Sequence, residues 1–214
     1  RSSGLLARTY SGAGRIDDAE RIVRDCLSRH GKSGAMLANL AHVQASRGEY
    51  GMAKATLLQA LEIDPNDDRA VCWYESAHRD QGGEAAGIAA LSHLATLPGS
   101  WRAQLMLGQH ALHSQQPDRA FALFGECIAN TGRPAPMDVL ADISATLGSA
   151  GYFREIGELV EPAFEPETHG MHVGSNLMRA HAEMGDFDKA RKILDQLYAV
   201  RHPEAETQLQ YWTD

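Results

Sequence analysis

A chain of 214 residues with 43% apolar and 22% charged residues has the composition of a soluble protein, and no apolar run approaches the roughly 18 residues that span a bilayer. With 20 basic against 28 acidic residues the net charge is −8, so the molecule repels polyanions and nucleic acid is not an expected partner. Three widely spaced cysteines, Cys26, Cys72 and Cys127, suit a reduced compartment, and we expect a cytoplasmic location.

Helices are expected along nearly the whole chain. Apolar residues recur at spacings of three and four, and proline is scarce. Segments 14–19, 48–53 and 185–190 each run from Gly through a short polar and aromatic or aliphatic stretch to Ala. That order is typical of a helix stop, a tight turn and a new helix start. Acidic pairs at 17–18 and 67–68 lie at expected helix starts, where they favour the helix dipole.

Taken in chain order, the helices form hairpins with a period near 34 residues. Their expected ranges are about 2–32, 34–67, 68–100, 101–134, 137–170 and 171–203, and 204–214 begins a capping helix or a seventh repeat. One position in each second helix is small in all hairpins but the fifth. The residues at this position are Ala19, Ala53, Gly87, Ala120, Ile156 and Ala190. A small side chain lets two helices approach closely, so Ile156 predicts an irregular fifth hairpin.

Large apolar residues recur in phase on both helices of every hairpin. The first-helix residues are Leu6, Leu40, Tyr74, Leu107, Ile143 and Leu177. The second-helix residues are Val23, Leu57, Leu91, Phe124, Val160 and Leu194, followed three residues later by Cys26, Ala60, Leu94, Cys127, Ala163 and Leu197. Because residues three apart share one helix face, each second helix has a continuous packing stripe.

In its period and in these positions the chain resembles a tetratricopeptide repeat protein over essentially its whole length. The second hairpin carries the resemblance most completely, through Leu40, Ala41, Gly48, Tyr50, Ala53, Leu57, Ala60 and segment 61–66. The resemblance implies an all-α fold, in which residues 1–214 form one right-handed α–α superhelix, or solenoid, of about six hairpins. It also implies that the first helices line a concave groove that binds a protein or a peptide.

First-helix residues that lie off the packing positions are therefore the candidate binding residues. They are Arg8, Asn39, His42, Arg69, Trp73, Ser76, Arg102, Met106, Gln109, Asp142, Asn176 and Arg179. Arg69 and Arg102 place positive charge in a negative protein, close to Trp73 and Met106, whose residue types are common at binding surfaces. Such a groove can pair a peptide carboxylate with an arginine and hold an apolar side chain nearby. Trp73 is the strongest single candidate.

Some tetratricopeptide relatives hold the C-terminal carboxylate of a chaperone through a clamp of Lys, Asn, Asn, Lys and Arg on three first helices. In this sequence Asn39 matches one clamp Asn, and Arg69 replaces a Lys with a different donor geometry. Gly4, Arg8 and Trp73 stand at the remaining clamp positions. Chaperone-tail binding is therefore not the expected function.

No catalytic, cofactor or metal motif is recognisable, so the chain is not expected to be an enzyme or to need a cofactor. Segment 31–33, Gly-Lys-Ser, resembles the end of a phosphate-binding loop, but Cys26 stands where that loop needs a glycine. His110 and His113 are three apart on one helix, yet no Cys, Asp or Glu stands near them at ligand spacing. We interpret them as surface or groove residues, and we expect His169 and His172, which flank Gly170, to lie in a loop.

Three functions remain open from the sequence. The first is an adaptor or scaffold that presents its groove to a peptide or to a partner helix. The second is a regulatory or substrate-docking region of a larger enzyme, whose catalytic domain lies outside these residues. The third is self-assembly into a homo-oligomer through an uncapped last helix that exposes Tyr211 and Trp212.

Overall fold

The computed structural model describes residues 2–200, which form α-helices joined by short turns, with no β-strand among them. In chain order the helices are α1 (Ser2–Gly12), α2 (Ile16–His30), α3 (Gly34–Ser46), α4 (Tyr50–Ile63), α5 (Asp68–Leu94), α6 (Arg102–His113), α7 (Pro117–Asn130), α8 (Met137–Ser149), α9 (Phe153–Leu159), α10 (Pro166–Glu183) and α11 (Phe187–Ala199). Gly83 (φ 74°) breaks α5 and Gly170 (φ 49°) breaks α10, so each contains two helical segments. The predicted last helix, 204–214, with Tyr211 and Trp212, lies outside the described residues.

Contacts between helices group the chain into two compact units, Arg1–Ala103 and Gln104–Asp214. In the first unit each helix from α1 to α5 packs against the next one, and α1 also packs against α3. In the second unit α8 packs against α9 and α10, and α10 pairs with α11. Contact with the next helix and with the next but one is the pattern of stacked helical hairpins. The expected all-α architecture of helical hairpins is confirmed.

The glycines predicted to end helices lie in the left-handed region of backbone space. Gly48 (φ 80°) follows α3 and Gly185 (φ 78°) follows α10, and any side chain at these positions would be strained. The side chain of Asp67 caps α5 by accepting a hydrogen bond from a backbone N–H three residues on (2.9 Å), and Asp186 caps α11 in the same way (3.2 Å). The predicted helix ends and starts are therefore correct at these turns.

The predicted packing residues of the second helices form the core of each unit. Val23, Leu57 and Leu91 are buried in the first unit, and Phe124 and Val160 are buried in the second. Each removes a large apolar surface from water, which is the main favourable term in folding. The packing stripe read from the sequence is therefore confirmed at these positions.

The prediction that Leu6 packs in the core is wrong. Leu6 is 47% exposed, and its neighbour Ala7 is buried instead, in a cluster with Val23 and Leu40. Leu40, the equivalent residue of α3, is covered by the hairpin of α1 and α2. Among the described residues no hairpin precedes α1, so nothing covers Leu6 in the same way.

Glycines let the two helices of a hairpin approach closely. A β-carbon at Gly108 on α6 would overlap the ring of Phe124 on α7. A β-carbon at Gly174 on α10 would lie 2.6 Å from Leu197 on α11. Both contacts are well inside van der Waals distance, so these crossings have room for a hydrogen atom and not for a methyl group.

In the third hairpin a large residue on the first segment of α5 faces a glycine on the second segment. Glu75 stands on α5 where α3 has Ala41, and it is buried. Its Oε1 lies 2.7 Å from where a β-carbon at Gly87 would be, and 3.3 Å from the Arg79 guanidinium. The missing side chain at Gly87 therefore makes room for the larger residue on the facing segment, and the ion pair to Arg79 offsets part of the desolvation of the carboxylate.

The fifth hairpin is irregular, as Ile156 predicted. Its second helix, α9, has only 7 residues and continues as a 3-10 turn, Glu161–Ala163. The prediction that His169 and His172 lie in a loop is wrong, because both residues are helical. His169 is also buried. Its Nδ1 accepts a hydrogen bond from the backbone N–H of Glu165 and its Nε2 donates one to the carbonyl of Ala135, both at 2.8 Å. A neutral histidine with both nitrogens bonded can be buried without an unmet polar group.

Asn66 ties the end of the second hairpin to the start of α6. Its Nδ2 donates to the carbonyl of Gly99 (2.8 Å). Its Oδ1 accepts from the backbone N–H groups of Trp101 (2.8 Å) and Arg102 (3.1 Å). The first N–H groups of a helix have no partner within the helix, so this one side chain satisfies groups that would otherwise be unpaired.

Replacing Asn66 with alanine is expected to lower the free energy of unfolding by about 1–3 kcal/mol, because it leaves partly buried N–H groups without an acceptor. Asn66→Asp is the matched control, since it keeps an acceptor and loses only the donor to Gly99. Urea denaturation, followed by circular dichroism, measures the free energy of unfolding of both variants. We expect the aspartate variant to lose less of this free energy than the alanine variant. Equal losses would contradict the assignment of the amide oxygen as the main contributor.

Gly108→Ala is expected to destabilise the second unit by about 1–3 kcal/mol, since the added methyl group overlaps the ring of Phe124. Gly125→Ala is the matched control, because a β-carbon there meets its nearest atom, on Leu159, at an ordinary 3.7 Å. We expect that variant to gain about 0.5–1 kcal/mol from the better helix propensity of alanine. The melting temperatures of the two variants should therefore shift in opposite directions. Shifts of both in the same direction would contradict the close approach of α6 and α7.

Candidate polypeptide-binding groove

An open concavity of about 520 Å³ lies on the first unit, between the first helices of its three hairpins. We call it the groove. Residues of α1, α3 and the start of α5 line it: Leu5, Thr9, Ala35, Ala38, Asn39, His42, Asp67, Arg69, Ala70 and Trp73. Asn39, His42, Arg69 and Trp73, four of the candidates chosen from sequence, are therefore brought around one concavity.

Helical spacing explains why these side chains share one surface. On α3 the lining positions 35, 38, 39 and 42 are separated by three and four residues, which places them on one helix face. On α5 positions 69, 70 and 73 follow the same rule. The packing residues Leu40 and Tyr74 are buried on other faces of these helices. The small residues Ala38 and Ala70 leave open volume between the longer side chains.

Trp73 and His42 form the aromatic part of the groove. Their ring centroids are 6.1 Å apart and the ring planes meet at 72°, an edge-to-face contact that aromatic pairs favour. Trp73 is half-buried, so this contact holds the indole while part of it stays accessible. The pair therefore offers a rigid apolar surface with little conformational freedom left to lose on binding.

Arg69 supplies the positive charge of the groove. It is exposed, and it forms no ion pair within residues 2–200. Asp67, the acidic residue among the lining, is engaged as the cap of α5. Asn39 lies close to α1, where a β-carbon at Gly4 would be 2.7 Å from its Nδ2. The groove thus combines a guanidinium, an amide and an aromatic surface, a set that can bind a carboxylate and an apolar side chain.

The other candidates of the first unit do not line the groove. Arg102 has a side chain only 12% exposed, pairs with Asp68 (3.6 Å) and stacks over the ring of Trp101 (4.5 Å). Its charge is therefore engaged within the fold. Ser76 is half-buried on α5. Arg8 lies on α1, and its side chain is outside the described part of the protein.

The remaining candidates belong to the second unit. Met106 and Gln109 are half-buried on α6. Asn176 donates a hydrogen bond from Nδ2 to Oγ of Ser144 (2.8 Å) and so joins α10 to α8. Arg179 is exposed, lies 3.8 Å from Glu183 and 5.8 Å from the ring centroid of Phe153. Asp142 is exposed on α8. Of these, Asn176 has a structural role in the contact between first helices.

Several lining residues were missed from the sequence. They are Leu5, Thr9, Ala35, Ala38, Asp67 and Ala70. A usable signal was present, because Ala35 and Ala38 stand at helical spacing from Asn39 and His42 and therefore share their face. Small residues have no side-chain chemistry that marks them as binding residues, although they set the depth of the groove.

The motifs considered for other chemistry have structural roles or no cluster around them. Ser33, the end of the segment that resembles a phosphate loop, caps α3 by accepting a hydrogen bond from the N–H of Met36 (3.3 Å). Over the range 2–200, no group of three or more His, Cys, Asp or Glu side chains is arranged to hold a metal ion. No helix in that range has the length and apolarity to cross a membrane.

Sequence comparison identifies the repeats. A family profile described as "Tetratricopeptide repeat" matches residues 10–71, and a second profile with the same description matches residues 171–196. These two segments of the chain are tetratricopeptide repeats. The first match includes Asn39, His42 and Arg69, so most of the groove lies on recognisable repeats. Tetratricopeptide repeats generally serve as protein-interaction modules. No curated protein matches the sequence.

Several solved structures are similar to this chain. Pseudomonas aeruginosa PilF is 19% identical, with 99% of this chain and 96% of that chain covered and a TM-score of 0.44. The C-terminal part of a TPR repeat-containing protein from Cytophaga hutchinsonii is 12% identical, with 96% and 85% covered and a TM-score of 0.45. The TPR2AB domain of yeast Sti1, in a complex with HSP90, is 16% identical, with 98% and 96% covered and a TM-score of 0.38. These values concern the fold and carry no information on the groove.

His78 lies on α5, one turn beyond Tyr74, in an environment that opposes its protonation. Its ring lies 4.6 Å from that of Tyr74. Partial burial lowers the pKa of His78 below its ordinary value of 6.5, and the positive charge of Lys54 lowers it further. The unfolded chain therefore binds this proton more tightly than the folded protein. The contribution of His78 to stability is complete above pH 6.5 and is lost as the pH falls through the lowered pKa.

NMR titration of the His78 ring protons is expected to give a pKa below 6.5, because burial and Lys54 both oppose protonation. Lys54→Gln should raise that pKa by removing the nearby charge. Lys32→Gln, a charge change in a turn of the same unit, is the control and should leave the pKa unchanged. A value at or above 6.5 in the unmodified protein would contradict this environment.

Proposed function

We propose that the protein is a non-catalytic adaptor that holds an extended segment of a partner polypeptide in the groove of α1, α3 and α5. The observation that carries this proposal is the convergence of Asn39, His42, Arg69 and Trp73, from two hairpins, on one open concavity. The general use of tetratricopeptide repeats in protein interactions supports it. The candidates of the second unit, Met106, Gln109, Asn176 and Arg179, are not needed for this site.

The chemistry of the groove indicates what the segment carries. The exposed guanidinium of Arg69 suits a carboxylate, which it can bind through two parallel hydrogen bonds. The Asn39 amide can donate to and accept from a peptide backbone, and the Trp73 indole suits an apolar side chain. The net charge of −8 disfavours nucleic acid as the occupant and leaves Arg69 to select locally for an acidic group.

The cellular location, a role within a larger enzyme and self-association are further parts of the proposal. The three cysteines are free thiols, which supports a reducing compartment such as the cytoplasm. If the repeats serve instead as the regulatory or substrate-docking region of a larger enzyme, the same groove would hold the substrate or the regulator. Self-association through Tyr211 and Trp212 stays a prediction.

The double variant Arg69→Ala, Trp73→Ala is expected to weaken capture of a cellular partner strongly while the helical circular-dichroism signal stays unchanged. The reason is that it removes both the cation and the aromatic surface of the groove, and such anchors carry a large share of binding energy, about 2 kcal/mol or more each. The measurement is a pull-down with quantitative mass spectrometry, using the unmodified protein as the reference.

The matched control is Arg154→Ala, which removes an exposed arginine from the second unit. It changes the net charge by the same amount as Arg69→Ala and leaves the groove intact. Loss of partner recovery in this control as well, or unchanged recovery with the double variant, would contradict binding in the groove.

A further inference from the structure

A second cavity, of about 300 Å³, lies in the first unit where α4 packs against the first segment of α5. We call it the Trp73 cavity. Leu57, Trp73 and Ala77 supply its apolar walls, and Tyr50, Lys54 and Gln81 supply its polar and aromatic edge. Leu57 is buried whereas Tyr50 is 63% exposed, so the cavity runs from an accessible aromatic edge to an apolar interior.

The cavity has a cause that is visible in the sequence. Ala77 on α5 stands 34 residues after Val43 on α3, which is the equivalent position of the preceding repeat. Val43 is buried and fills its place between α3 and its neighbours. Alanine at position 77 lacks two of those carbon atoms, so the space next to Leu57 stays open. The cavity is open at its Tyr50 edge, so a side chain of a partner can enter it.

The Trp73 cavity and the groove share one side chain. Trp73 lines both of them, and the other lining residues of α5 run from Arg69 in the groove to Ala77 in the cavity. Eight residues of α-helix separate those two positions, a rise of roughly 12 Å. An extended polypeptide covers that distance in about four residues. A segment whose carboxylate pairs with Arg69 and which follows α5 therefore presents a side chain at the cavity four residues away.

Building on the proposed function, we propose that the Trp73 cavity takes a tyrosine side chain of the partner, placed about four residues from the acidic group that binds Arg69. An apolar cavity of roughly 150 Å³ already binds benzene, so 300 Å³ has room for a phenol ring. Trp73 and Tyr50 offer aromatic faces and edges to that ring.

The polar edge selects for an aromatic ring that has a polar tip. The ammonium group of Lys54 donates to Oε1 of Gln81, and both residues line the cavity. Asp80, which also lines the cavity, forms no ion pair with any residue that the structure describes. A phenol hydroxyl can donate to the carboxylate and accept from the ammonium, whereas an aliphatic side chain would desolvate these groups without replacing their hydrogen bonds with water.

The cavity is tested directly with p-cresol, which reproduces the tyrosine side chain, and with toluene, which lacks the hydroxyl. NMR titration is expected to show that p-cresol shifts the Trp73 indole N–H and Tyr50 ring signals, and that toluene binds more weakly. Ala77→Leu fills the cavity and should weaken p-cresol binding by roughly tenfold or more, the effect of losing a well-packed contact. Ala77→Val, which copies Val43, is the milder second variant, and melting temperatures check that both fold.

Absence of p-cresol shifts at Trp73 and Tyr50, or equal p-cresol binding by the unmodified protein and a folded Ala77 variant, would overturn the proposal.

A pair of synthetic peptides connects the cavity with the groove. One carries Asp and, four residues later, Tyr in an Ala and Ser background, and the other carries the same residues side by side. We expect the first to bind roughly tenfold more tightly by fluorescence anisotropy, since only it reaches both sites, and to lose that advantage with Arg69→Gln and with Ala77→Leu.

The outcomes of the peptide test separate the two proposals. If Arg69→Gln weakens binding while Ala77→Leu and Tyr→Ala in the peptide have no effect, the groove stands and the cavity proposal is overturned. If only Ala77→Leu and Tyr→Ala matter, the cavity stands and carboxylate binding in the groove is overturned. Equal affinity of the two peptides overturns the four-residue spacing.

Discussion

The close approach of paired helices at small residues is the constraint on which the rest of the structure depends. At Gly108 and Gly174 the facing side chain leaves no room for a methyl group, and Ala41, the equivalent of Gly108 in the second hairpin, is buried. A helix pair held this closely behaves as one rigid element, because its interior is packed to the density of an organic crystal. The first helix of each pair therefore has a fixed face against its partner and a second face available for other contacts.

The groove follows from that geometry within the first unit. Buried packing residues such as Leu40 and Tyr74 orient α3 and α5, and the residues on their remaining faces are carried to a shared concavity. The depth of the concavity comes from alanine, and its chemistry comes from Arg69 and Trp73. Binding residues mounted on packed helices are positioned more accurately than residues on loops, since helix packing fixes their backbone. This property makes a stack of hairpins a suitable base for recognising an extended segment.

The third hairpin differs from the second at several positions around the first segment of α5. Glu75 stands where α3 has Ala41 and is accommodated by Gly87, while Ala77 stands where α3 has Val43 and lines the Trp73 cavity. Trp73, on the same helix segment, lies between that cavity and the groove. Local departures from an otherwise consistent pattern are expected at functional positions, because elsewhere the pattern is favoured by packing. The proposed binding site around Trp73 lies on this part of α5.

The sequence alone determined the helical hairpins, their turns and most of the core, because period, glycine positions and apolar stripes are local properties of a chain. Those signals state which face of a helix is apolar. They do not state what covers it, so the exposure of Leu6 and the burial of His169 were decided by the tertiary structure.

The same division holds for the groove. Spacing placed Asn39, His42, Arg69 and Trp73 on first helices, and the fold brought them together. It also engaged Arg102 with Asp68 and Trp101, and Asn176 with Ser144. Long polar side chains pair with whichever group the neighbouring helix offers. The open space beside Ala77 depends on residues of two helices at once. The pairing of these side chains and the open space were therefore decided by packing in three dimensions.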